Sequence, residues 1–298
     1  MKSKPNPEFN LKAEEICGYK VTAKMKRVWA KELEMLEQFQ KVCDKYHLKW
    51  FLIGGSLIGA VRHNGFIPWD DDIDVAMFRD EYKKLLKIAS HEFKSPFFFQ
   101  TPYTDNLYRG HAQLRYDGTT AILPEEINRN HHQGIFIDIF PFDEYPNTKH
   151  KWNKHLYQVN EIKYLFQDYF NDDFPLETIK KEHERAKRII NIFGFKNVYR
   201  YYEWICSRYN GKGDEKVGNL SLTYGSRVQD KALFEKIIMH KFEYLSVPIP
   251  AEYDKLLKNK FGDYMKPIRS KTAHGEVIFD PDTPYQETLK KLRGEKHG

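Results

Sequence analysis

The sequence predicts an α+β fold, a small mixed sheet flanked by helices and followed by a helical C-terminal half. Three observations predict it. Residues 50 to 78 run strand, Gly-Gly-Ser, helix, aspartate cluster and strand within thirty positions. A second apolar run, Gly134 to Pro141, reads as another buried strand. From Thr148 to Tyr209 the apolar residues recur at helical spacing with mixed charges between them.

Bulk properties set the outer limits. The 298 residues suffice for one large domain or two small ones. Boundaries are expected at 1–18 (a polar, proline-bearing arm), 19–147 (a catalytic core) and 148–298 (a mainly helical region packed on it). The net charge of +6 permits an anionic substrate or loose contact with an anionic membrane. No basic run with interleaved motifs argues for nucleic acid. Three widely spaced cysteines, Cys17, Cys43 and Cys206, form neither a disulfide framework nor a zinc site, which suits a reducing, cytoplasmic setting. The N-terminus lacks an apolar signal region, and no stretch approaches the roughly twenty apolar residues of a membrane span.

Taken in order, Tyr19 to Tyr46 has apolar residues at three and four and is expected to be one long helix along the sheet. Trp50 to Ile53 is a strand, Leu57 to His63 a helix, and Asn64-Gly65 its stop. Asp80 to Ser90 reads as an amphipathic helix and Pro96 to Phe99 as a short strand. Tyr108 to Arg115 and Thr119 to Leu123 are expected to form a hairpin around Asp117-Gly118. His131 and His132 are expected at the surface. Thr148–Phe170, Leu176–Phe193, Val198–Tyr209 and Ala251–Phe261 read as helices, with a strand near Val217.

The chemistry concentrates in Asp70, Asp71, Asp72 and Asp74. In extended chain Asp72 and Asp74 share a face while Ile73 and Val75 take the other, and Asp70 joins the carboxylate face if that geometry begins early. Clustered carboxylates repel unless a cation lies among them, and such hard oxygen ligands suit Mg²⁺ or Mn²⁺ shared with substrate phosphates. Gly55 and Ser56 start a helix, where bare N–H groups favour phosphate. Asp138 is a lone carboxylate inside the apolar IFIDIF run, where an uncompensated charge is costly. A metal shared with Asp72 and Asp74 would compensate it, as would a buried Arg or Lys; Asp143 is the fallback third ligand. His111, Gln113 and Arg115 alternate on one face, either a plain polar face or part of the site. Arg62 is a phosphate clamp or an exposed helix residue, and Trp69 beside the aspartates is a ligand contact or a packing residue.

The stretch GGSLIGAVRHNGFIPWDDDIDVAM resembles the signature of the LicD-type phosphocholine transferases, within the nucleotidyltransferase superfamily and related to the fukutin-type transferases. Weaker likeness continues through HAQLRYDGTT and GIFIDIFPFD, so it covers Trp50 to Asp143. The resemblance implies a nucleotidyltransferase-like core and Mg²⁺-dependent transfer of phosphocholine, or a related head group, from CDP-choline or another CDP-linked donor. The acceptor would be a sugar hydroxyl of a glycan or glycolipid: lipopolysaccharide, teichoic acid or a capsule precursor. It implies metal and catalytic roles for Asp72, Asp74 and Asp138. Substrate contacts are implied at Gly55, Ser56, Arg62, Trp69, Asp70, Gln113, Arg115 as a phosphate clamp, and His274, the last in a polar loop with Arg269 or Lys271. The site of action would be cytoplasmic, at the inner face of the membrane. Choline also calls for aromatic faces, for which Trp69 and Tyr116 are candidates. The rivals are a nucleotidyltransferase that moves NMP and releases pyrophosphate, and an inactive nucleotide-binding module.

Overall fold

The computed structural model describes residues 6–171, 176–212, 215–221, 228–269 and 275–294. In chain order the elements are β1 (Glu14–Ile16), β2 (Tyr19–Val21), α1 (Ala23–Lys45), β3 (Phe51–Leu52), α2 (Gly54–His63), β4 (Asp74–Phe78), α3 (Arg79–Glu92), β5 (Phe97–Gln100), α4 (Pro102–Asp105), β6 (Ala112–Tyr116), β7 (Thr120–Ile122) and β8 (Phe136–Tyr145). Then follow α5 (Lys149–Phe170), α6 (Glu177–Phe193), α7 (Phe195–Ser207), β9 (Lys216–Gly218), β10 (Gln229–Asp230), β11 (Ile237–Phe242), β12 (Leu245–Pro250), α8 (Tyr253–Phe261), β13 (Ile278–Asp280) and α9 (Tyr285–Leu292). The fold is α+β, with helices dominating the early part of the C-terminal half.

Contacts divide the chain into two units: residues 1–100, 112–140 and 233–298, and residues 101–111 with 141–232. This differs from boundaries at 18 and 147. Within the supposed arm, Glu14–Ile16 pairs with Tyr19–Val21, and the tail from 233 returns to the first unit. A boundary drawn where the sequence texture changes cannot register that return, because β13 reaches its partner β7 from 156 residues downstream.

The first unit holds the strand order β5-β6-β8-β4-β3. Helix α1 buries Val28, Trp29, Leu33, Leu36, Phe39 and Cys43. It starts later than the periodicity suggests, because Thr22 accepts a hydrogen bond from the Met25 N–H as N-cap and the residues before it are extended. Helix α2 stops at Asn64, which takes the left-handed conformation (φ 54°).

The expected hairpin around Asp117-Gly118 does not form. Strand β6 already pairs on one edge with β5 and on the other with β8, so no edge is left for the chain beyond the turn. That chain becomes β7 and pairs with β13 instead. The two histidines are not at the surface either. His131 is buried against Glu126, 3.1 Å from its carboxylate, and His132 stacks on Phe98 while facing Asp117 at 3.0 Å.

The second unit packs α5, α6 and α7 around Val159, Phe166, Ile190, Phe195, Tyr199 and Tyr202. The tyrosine-rich segment near 200 is thus core on one helix face and exposed on the other. Among the described residues no helix is long and apolar enough to cross a membrane.

Candidate active site

Strand β3 ends where α2 begins, and β4 lies beside both. The Ile53 N–H donates to the Asp74 carbonyl, and the Asp74 N–H donates to Ser56 Oγ at 2.8 Å. Ser56 is buried, so its hydroxyl fixes the start of β4 against the first turn of α2. Gly54 has φ +59°, and a side chain there would bring its Cβ to 2.8 Å from Asp74 Oδ2. A Cβ on Gly55 would clash with Asp70 Oδ2. Both glycines are therefore needed: they let two carboxylates approach the helix N-terminus, where the peptide dipoles favour negative charge.

The third carboxylate arrives from β8. The Asp138 N–H donates to the Ile73 carbonyl at 2.9 Å, and Asp138 lies opposite Gln113 in the β6–β8 register. Carboxylate oxygens of Asp72, Asp74 and Asp138 all lie within 4.8 Å of one another. A second set, Asp70, Asp71 and Asp72, meets the same separation. The all-oxygen donor set and the convergence of two chain segments, the run into β4 and strand β8, fit a hard divalent cation.

Behind the aspartates stands a residue the motifs did not flag. Glu32 of α1 is completely buried, and neither of its carboxylate oxygens has a hydrogen-bond partner among the described residues. Burial pushes its carboxyl well above the usual range, and Asp71, Asp70 and Asp138 push it the same way. Asp72 is likewise raised well above the ordinary value, by desolvation first and then by Asp74, Asp70, Asp71 and Asp138. Such an accumulation of negative charge suits residues that could hold a divalent cation more than it suits a closed polar core. The sequence did carry a signal for Glu32. The α1 stripe Met25, Trp29, Glu32, Leu36, Phe39 and Cys43 steps by four and three, and Glu32 fills one of its apolar slots. One turn before it, Trp29 Nε1 donates to the Asp70 carbonyl at 3.1 Å and ties α1 to the aspartate loop.

Arg115 and Gln113 lie beneath the carboxylates. Gln113 Nε2 donates to Asp138 Oδ1 at 2.6 Å. Arg115 donates to Gln113 Oε1 (2.5 Å), Gln100 Oε1 (2.6 Å) and the Gly134 carbonyl (2.8 Å), and is 1% exposed. A phosphate clamp needs an accessible fork, whereas this guanidinium is turned inward on neutral acceptors. Its geometry suits orienting Gln113, which in turn orients Asp138. Arg62 is half-buried and donates to the Tyr264 carbonyl at 2.6 Å, so it joins α2 to the C-terminal segment. Asp143 is in the second unit, where it accepts from Asn210 at 2.9 Å. Trp69 is half-buried with Tyr19 edge-on at 6.1 Å, and Arg269 lies over the Tyr19 ring at 4.7 Å. Tyr116 is buried, donates to Glu34 and has Lys31 over its ring, so its face is already used. Lys271 and His274 lie outside the described residues.

The lipopolysaccharide cholinephosphotransferase LicD of Haemophilus influenzae is 30% identical to this chain over 242 residues, which cover 78% of this chain and 88% of that protein. The chain belongs to the LicD family. The family model described as the LicD/FKTN/FKRP nucleotidyltransferase domain matches residues 47–187 of this LicD-family chain, a span that holds the whole aspartate constellation. The ribitol 5-phosphate transferase FKRP of Mus musculus is 25% identical over 135 residues, 42% of this chain and 24% of that protein. An uncharacterised protein of Rickettsia prowazekii is 23% identical over 151 residues, 50% of this chain and 53% of its own length.

Proposed function

We propose that this LicD-family phosphotransferase moves phosphocholine from a CDP-linked donor to a sugar hydroxyl of a cell-surface glycan such as lipopolysaccharide, with Mg²⁺ or Mn²⁺ held by Asp72, Asp74 and Asp138. The observation that carries this reading is the convergence of those three carboxylates within 4.8 Å at the glycine start of α2. The relative's printed activity supplies the head group.

Phosphoryl transfer depends mainly on positioning and neutralisation of charge. A divalent cation, when bound, offsets the charge of the diphosphate and of the leaving CMP. The chain's own residues do the positioning. Gly54 and Gly55 carry no side chain at the start of α2, so phosphate oxygens could approach its N-terminal dipole closely. Ser56 fixes Asp74 through its backbone N–H. Gln113 donates to Asp138 Oδ1 and so orients the carboxylate that would serve the cation or take the proton of the acceptor hydroxyl. Trp69, with Tyr19 edge-on against it, offers its own aromatic face to the quaternary ammonium. The enzyme would work in the cytoplasm at the inner membrane face.

The test is incubation with CDP-choline, CDP-ethanolamine, CDP-glycerol and CDP-ribitol in Mg²⁺, with CMP as the readout. CDP-choline is expected to be preferred, and Asp72→Asn or Asp74→Asn to abolish turnover without unfolding. Preference for the polyol donors would remove choline and keep the metal chemistry. Release of pyrophosphate from a nucleoside triphosphate instead would replace the reading with nucleotidyl transfer.

A further inference from the structure

The second unit exposes more apolar surface than its packing needs. Ile192 and Phe193 at the end of α6, with Tyr201 and Trp204 on α7, are each more than half exposed. Phe193, Tyr201 and Trp204 are contiguous. Phe193 and Tyr201 line a groove of about 430 Å³ with Ile162, Leu165, Ile189 and Val198, and Trp204 stacks on Tyr201 with ring centroids 5.7 Å apart. Tyr157 and Tyr164 on α5 are also exposed, one heptad apart on the same face. A patch of this kind on a folded unit marks an interaction surface.

Its charge names the partner. Helices α5, α6 and α7 carry eleven lysines and arginines against six carboxylates, which is most of the excess behind the chain's net +6. Lys181, Arg185 and Arg188 are exposed on α6, and Lys196 and Arg200 on α7, with Arg185 itself on the groove rim opposite Glu161. Aromatic side chains that can sit at a headgroup boundary, beside flexible basic side chains, form the pattern of an interfacial helix face on an anionic bilayer. An obligate protein interface would instead deplete lysine from the patch.

We propose that the α6–α7 face, centred on Phe193, Tyr201 and Trp204 and rimmed by Lys181, Arg188, Lys196 and Arg200, docks this protein on an anionic lipid surface. It gives a chain without a membrane-crossing helix among its described residues a route to a lipid-linked acceptor. In that purpose it rests on the proposed function; the surface itself stands on residues of the second unit alone.

The test needs no donor and no turnover. The full chain is sedimented with phosphatidylcholine vesicles with and without phosphatidylglycerol, at low and high salt. Binding to the anionic vesicles alone, weakened by salt, is expected. Phe193→Ser/Tyr201→Ser/Trp204→Ser and, separately, Lys181→Glu/Arg188→Glu/Lys196→Glu should each cut partitioning by about tenfold or more, while CMP release from a soluble donor stays unchanged. Equal binding to both vesicle types, no binding, or variants that partition like wild type would overturn the proposal. So would a dimer in solution that the aromatic variant dissolves, since the face would then belong to a second copy. Failure of the donor assay with vesicle binding intact would refute the proposed function and leave this surface standing.

Discussion

At the residue scale the site depends on how Asp138 is held. An isolated carboxylate in a strand flanked by Ile137 and Ile139 needs an orienting partner, and Gln113 provides it at 2.6 Å, with Arg115 fixing the Gln113 amide. Gln113→Leu should lower Mn²⁺ affinity by about 10–100-fold, the usual cost of losing an orienting partner behind a metal ligand. Calorimetric titration with Mn²⁺ checks this, and an unchanged affinity would show that Asp138 needs no such support. Arg115→Leu should instead cost stability, because it strips Gln100 Oε1, Gln113 Oε1 and the Gly134 carbonyl of their donor at once. The placement of Asp138 was legible in the sequence because a charge in an apolar run demands compensation. The orientation of Arg115 was not. Alternation puts it on the same face as Gln113, but nothing in a period of two says whether that face meets solvent or the next layer. Glu32 occupies a slot of the helix stripe, but a glutamate in a charged helix ordinarily turns outward, so the stripe alone does not mark it as buried.

At the element scale, the junction of β3, α2 and β4 has no room to spare. Gly55→Ala should displace Asp70 and lower metal affinity, and Gly54→Ala adds the left-handed strain of about 1–2 kcal/mol that a Cβ brings at φ +59°. Thermal melts and Mn²⁺ titration on both variants separate the two effects. Helix α5 offers an independent test through His155, which is completely buried, has no hydrogen-bond partner on either ring nitrogen among the described residues, and is pushed down to about 4 by burial and Arg208. Between its unfolded value near 6.5 and this folded value the unfolded chain binds more protons, so stability is lost as pH falls through that window. The effect is at most about 3 kcal/mol, at 1.36 kcal/mol per pKa unit. Urea unfolding at pH 7 and pH 4.5 should show the loss, and His155→Phe should remove its share. Helix ends were the most legible boundaries, at His63, Phe170, Phe193 and Phe261, because stripe and stop signals agree there. Strand partners were the least: whether β7 turns back on β6 or meets β13 is decided by which edges remain available.

At the scale of the molecule, the first unit holds Glu32, Asp70, Asp71, Asp72, Asp74 and Asp138 together in a region where the charges acting on Glu32 and Asp72 are all negative. The raised carboxyls of Glu32 and Asp72 give a definite sign. In the metal-free protein the folded state binds more protons than the unfolded chain once pH exceeds the ordinary carboxylate values of 4.5 and 3.8, so stability falls as pH rises from there through their elevated folded values. A cation bound among the carboxylates reverses the trend. At a hundredfold excess over its dissociation constant it adds about 2.7 kcal/mol, which for a chain of this size is a rise in Tm of about 4 °C. Melts in EDTA and in Mg²⁺ at pH 7.5 measure it. Glu32→Gln tests the origin of the effect, because it removes the buried ionisable carboxyl and leaves Asp72, Asp74 and Asp138 in place. In EDTA the variant should melt above wild type, since like-charge repulsion and desolvation are both relieved. In Mg²⁺ the gap should narrow, because the cation has already relieved the same repulsion in wild type. A Glu32→Gln variant that melts lower than wild type in EDTA would show that Glu32 is paired in solution, and the carboxylate cluster would then need no cation to explain it.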